Sequence, residues 1–153
     1  MTHPAPLPFR IRLPGEDSVS LAEIRDVSRR MDGLLHCDES GIVLEWELTE
    51  SIDEVSLLSV SSTKNRFEVE VLEVPFELLA SADLVGGILR PRLVLRARSL
   101  GVFSDIPGAK ADRLMLDYAR GDRFVAVEMA RAITAAIAGL PVTDEQESIT
   151  PLP

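Results

Sequence analysis

Cysteine is nearly absent: Cys37 is the only one, which excludes an internal disulfide and a cysteine-based zinc cluster. Histidine is limited to His3 and His36. There is no phosphate-binding loop, no dinucleotide fingerprint and no repeat of solenoid length. No apolar run approaches the roughly 18–20 residues of a membrane span. The opening MTHPAPLPFR lacks the basic-then-apolar layout of a signal peptide, so a soluble, cytoplasmic chain is expected. Bases are scarce in the middle: residues 32–83 hold Lys64 and Arg66 against thirteen acids, a net of −11.

What is present suits one folded domain. The chain has 153 residues, and its hydrophobic share of 46% argues against wholesale disorder. The net charge of −9 argues against a general nucleic-acid or anionic-membrane binder, which needs a basic surface. The charge is uneven, since residues 84–131 carry a net of +4 beside the acidic block. Such asymmetry marks either a partner surface or two halves that neutralise each other across one fold.

Prolines at 4, 6, 8 and 14 predict a flexible tail over residues 1–17, and the acidic, Pro-containing residues 141–153 predict another. Residues 18–31 read as a helix from Leu21, Ile24, Val27 and Met31, with Ser20 and Glu23 as a capping box. An extended segment is the alternative there. Short strands are predicted over 33–37, 42–49, 55–61, 66–74, 82–85, 92–98 and 113–119. Turns are predicted at 38–41, 50–54, 62–65 and at Gly86-Gly87. Val125, Met129, Ala132, Ile133, Ala136, Ile137 and Leu140 form an apolar stripe that predicts a helix from Asp122 to Ala138. Asp122 is its expected N-cap, and Gly139 and Pro141 its stop.

This order resembles the pleckstrin-homology-like (PH-like) domain of bacteria. The resemblance rests on the opening hairpin GLLHCDESGIVLEWEL and on RPRLVLRARSLGVFSDIPGAKADRLMLDYARGDRFVAVEMARAI, and it runs from Gly33 to Gly139. It implies a barrel of about seven antiparallel strands in two near-orthogonal sheets, capped by one C-terminal amphipathic helix, with residues 18–140 as a single domain. Lipid-binding members carry bases in and beside the first hairpin. Here that turn is Asp38-Glu39-Ser40-Gly41, followed by Glu45 and Glu47, so no phosphoinositide binding is expected at it.

Candidate chemistry is sparse. His36 and Cys37 are strand neighbours whose side chains point to opposite faces, so they cannot form a nucleophile–base pair. Glu45/Glu47 and Glu68/Glu70 fall on solvent faces, where nothing pushes paired pKa values apart. No catalytic residue, metal ligand or cofactor is expected. Arg92, Arg96 and Arg98 share one strand face near Arg90 and suit carboxylate or phosphate. They are read either as a docking stripe or as partners of Glu45, Glu47, Glu68 and Glu70. Phe124 and Val127 lie on the outer face of the closing helix and suggest a partner or self-association contact.

The expected function is a non-enzymatic interaction module that docks a protein or peptide. One alternative is a small-molecule carrier or small enzyme using the barrel interior or the 104–112 loop. Another is an acidic inhibitor or nucleic-acid mimic.

Overall fold

Alternating Leu7, Phe9 and Ile11 set the first strand by entering the core. The computed structural model describes residues 3–139. The strands are β1 (Leu7–Val19), β2 (Glu23–Cys37), β3 (Gly41–Ser56), β4 (Val60–Arg66), β5 (Glu70–Pro75), β6 (Leu79–Val85), β7 (Arg92–Ala97) and β8 (Arg113–Asp117). One helix, α1 (Arg123–Ala138), follows them. Among the described residues the chain is therefore mainly β, antiparallel, with one α-helix at the C-terminal end.

The strands bond in the order β4-β3-β2-β1-β8-β7-β6, and β5 also pairs with β3. This is one open hydrogen-bonded path rather than a closed barrel. β5 lies beside the inner half of β3, from Gly41 to Trp46. β4 lies beside the outer half, from Thr49 to Val55. The seam between β1 and β8 is held by a single pair, Arg10 with Asp117.

Three expectations need correction. Residues 7–17 are not a tail but the first strand. β1 tolerates Pro8 and Pro14 because its outer edge is almost unpaired and a bulge falls between Leu13 and Glu16. Residues 18–31 are extended, not helical, and most of them form the outer half of β2. Residues 50–54 and 62–65, expected as turns, are strand interior in β3 and β4. The 141–153 segment lies outside the described residues.

The core rows run across β1, β2 and β3. Leu7, Leu35 and Leu44 stand side by side, and Phe9, Gly33 and Trp46 form the next row. Gly33 is required there: a Cβ would sit 2.5 Å from Phe9 Cζ. The helix closes this core with Ala126, Met129 and Ile133, all fully buried. Val125, Ala132, Ala136 and Ile137 of the expected stripe pack at its margin. Asp122 occupies the N-cap position but makes no side-chain cap bond, because a 3-10 turn over Arg120–Asp122 leads into the helix. No helix among the described residues is long and apolar enough to cross a membrane.

Candidate functional site

β2 and β3 do not end where the core ends. From the row containing Leu13, Arg29 and Glu50, they continue to Ile24 and Val55, with the ends of β1 and β4 on either side. Five residues at about 3.4 Å each make this arm roughly 17 Å long. Ion pairs brace its inner face. Arg29 Nε lies 2.9 Å from Glu50 Oε2, and Arg25 Nε lies 3.4 Å from Glu54 Oε1. Val27, between these pairs, is buried.

Two tight turns cap the arm, and they are built alike. In the first, Ser20 Oγ accepts from the Glu23 N–H at 3.1 Å. In the second, Ser56 Oγ accepts from the Ser59 N–H at 3.1 Å. The S-x-x-E pattern that resembles a helix capping box thus closes a hairpin instead. The central residues are Leu21-Ala22 and Leu57-Leu58, where turns ordinarily carry Gly, Asn, Asp or Ser. Leu21, Leu57 and Leu58 are 87–106% exposed.

Behind the turns the register is continuous. Val19 opposes Ile24, Ile24 opposes Val55 and Val55 opposes Val60. Residues directly opposite share a face, so these four make one apolar row on the outer face. All four are exposed, from 44% at Val55 to 78% at Val60. Seven large apolar side chains therefore crowd the tip of a projecting arm.

Two residues inward, on the same face, Asp17 opposes Asp26 and Asp26 opposes Asp53. Ser62 completes the row and donates to Asp53 Oδ1 at 2.7 Å. A hydrogen bond with Asp17, then the charges of Asp17 and Asp53, hold the Asp26 carboxyl above its ordinary range. None of the three carboxylates has an ion-pair partner among the described residues. Nor do they form a metal site: no group of three or more His, Cys, Asp or Glu among the described residues is placed to hold an ion.

Further inward the outer face carries Arg12, Arg30 and Arg66 in one row. Arg30 and Arg66 turn away from the arm. Arg30 Nε is 3.1 Å from Asp32, and Arg66 Nε is 3.9 Å from Glu47. Asp32 also binds Arg10 at 2.7 Å.

The residues singled out from the sequence fall elsewhere and do not converge. Arg92 is bound to Asp117 at 2.8 Å, not to the glutamates considered above. Arg98 Nε donates to the Leu79 carbonyl at 3.1 Å. Arg96 is exposed and stands between Ser81 and Arg113. Glu45 faces His36 at 3.7 Å, and Glu47 faces Arg66. Phe124 is exposed and lines a groove of about 450 Å³ between the helix and His3, Pro4 and Ala5. Val127 is half-buried and lies outside that groove.

In the 104–112 loop, Ile106 is buried in the core. A second cleft, of about 530 Å³, opens at the β1–β8 seam between Arg10, Arg12, Asp32, Arg90, Asp117 and Tyr118. Cys37 is buried, and its burial followed by the Asp38 charge pushes the thiol pKa up, so it is no activated nucleophile.

Sequence reasoning missed the arm tip. The available signal was three leucines at turn positions, Leu21, Leu57 and Leu58, each one or two residues after a serine. Comparison with family models, curated proteins and solved structures finds no match to this chain.

Proposed function

We propose that the chain is a non-enzymatic interaction module that docks a protein partner through the tip of its β-arm. The observation that carries this reading is the in-register apolar row Val19–Ile24–Val55–Val60, crowned by Leu21, Leu57 and Leu58. Exposed apolar side chains gathered in one place, rather than scattered singly, are the mark of a contact surface. A PH-like architecture is part of the proposal. It draws support from the strand order, in which a meander through β3 is followed by β6-β7-β8 and then the helix. The filled interior favours docking over carriage of a small molecule, since Phe103, Leu35, Leu95 and Leu116 leave no exposed surface there.

The test is a paired affinity capture from lysate of the source organism. The bait is the intact chain or its Leu57→Ser/Leu58→Ser variant. Both leucines are fully exposed, so the variant should keep the wild-type melting temperature to within a degree or two. Proteins recovered by the wild type and lost by the variant support the reading. Identical recoveries from the two baits, or none from either, overturn it.

A further inference from the structure

The outer face of the arm is banded. From the tip inward it carries the apolar row, then Asp17, Asp26 and Asp53, then Ser28, Ser51 and Lys64, then Arg12, Arg30 and Arg66. In the inner bands Asp32 and Glu47 take up Arg30 and Arg66, while Lys64 and Arg12 have no ion pair among the described residues. The aspartate band is not neutralised. Its three carboxyl groups stand directly across neighbouring strands and repel one another when ionised; none has an ion-pair partner among the described residues, and the only base in the adjoining row is Lys64.

We infer that the occupant of the tip is a basic amphipathic helix of a partner protein. Its apolar side chains lie on the Val19–Ile24–Val55–Val60 row, and its Lys or Arg side chains meet Asp17, Asp26 and Asp53. This rests on the docking reading above and adds the chemistry of the partner.

The dimensions agree. Four strands at about 4.8 Å spacing make each row about 14 Å long, which a helix of about ten residues spans at 1.5 Å per residue. The two rows are about 7 Å apart, less than the 10–12 Å width of a helix, so one helix lying across the strands covers both.

The charges also choose among occupants. An anionic membrane meeting the tip would bring its phosphates against three carboxylates. A second copy packed tip against tip about a two-fold axis would set each aspartate row against the other copy's leucine turns, burying charge against apolar surface. A helix with bases beside its apolar stripe meets neither penalty.

The probes are two synthetic 18-residue amphipathic peptides, one of Leu and Lys and one of Leu and Glu. Binding is measured by fluorescence anisotropy at 50 and 300 mM salt. The wild type should bind the Leu/Lys peptide at least tenfold more tightly than the Leu/Glu peptide, and more weakly at the higher salt.

Three variants separate the parts of the argument. Asp17→Asn/Asp26→Asn/Asp53→Asn should weaken Leu/Lys binding at least tenfold and flatten its salt dependence. Glu68→Gln/Glu70→Gln/Glu73→Gln reaches the same net charge and should bind as the wild type does. Leu57→Ser/Leu58→Ser should lose binding of the peptide altogether.

Equal weakening by the two triple variants would mean that net charge alone attracts the peptide, and would overturn the inference. If only the leucine variant loses binding, the docking surface stands and the basic partner falls. If the leucine variant binds normally, the docking reading itself falls. A dimer in sedimentation that the leucine variant dissolves would assign the tip to a second copy. Co-sedimentation with phosphatidylcholine vesicles without peptide binding would assign it to a membrane. Either result overturns the inference.

Discussion

Asp38 shows how much order one exposed carboxylate imposes. It sits at the β2–β3 turn, where Oδ1 accepts from the Ser40 N–H at 2.8 Å, the Ser40 hydroxyl at 2.9 Å and the Gly41 N–H at 2.9 Å. These bonds, the Ser40 backbone bond foremost, hold its carboxyl below the ordinary range. A carboxylate with a lowered folded pKa stabilises the fold above its unfolded pKa. That contribution is lost as pH falls through the folded value. Asp38→Ala should therefore destabilise by about 1 kcal/mol at pH 7, a small figure because water screens the site. The deficit should shrink toward pH 2. Urea denaturation of both proteins at the two pH values checks this, and an equal deficit at both would refute it. The negative charge at this turn is thus the hub of the hairpin's own bonding.

At the scale of elements, legibility followed wetness. β7 and β8 have one dry face, so Leu93, Leu95 and Ala97 alternate with Arg92, Arg96 and Arg98, and Leu114 alternates with Leu116 about Met115. Helix α1 carries its apolar stripe at the helical period for the same reason. The arm has no such dry face beyond Val27. Charges such as Arg25, Asp26, Asp53 and Glu54 occupy both faces, so alternation has nothing to record, and the strand interior at 50–54 and 62–65 reads as turn. Register was also out of reach, because the apolar row exists only once four separate segments are aligned. Pairing further decided β1, where the prolines read as a tail and Leu7, Phe9 and Ile11 alternate into the core only once β2 lies beside them. One element invites improvement. Lys110 and Arg113 exchange both backbone bonds at 2.9 Å around Ala111-Asp112, and Ala111 sits at φ 54°. Glycine reaches that region without the Cβ penalty. Ala111→Gly should raise stability by about 0.5–1 kcal/mol. A calorimetric melting temperature equal to or below that of the wild type would contradict the assignment.

The whole molecule divides into a packed body and an arm with few buried side chains. Local stability should follow that division, because opening free energy tracks buried contact. In native-state hydrogen exchange, amides of residues 16–28 and 51–66 should exchange well before those of β7 and of the core-facing ends of β2 and β3. Equal protection throughout would show that arm and body open as one unit. β2 and β3 nevertheless run without a break from the Asp38 turn to the tip, and the 16 residues of β3 span about 53 Å. The proposed docking tip thus sits at the far end of a strut anchored beside Trp46. On the proposed reading, a helix confined to the apolar and aspartate rows leaves the helix groove and the β1–β8 cleft uncovered, since Arg12 of that cleft lies two rows further in. A chain that docks a partner at its tip would then have the reach to hold a second body at either surface.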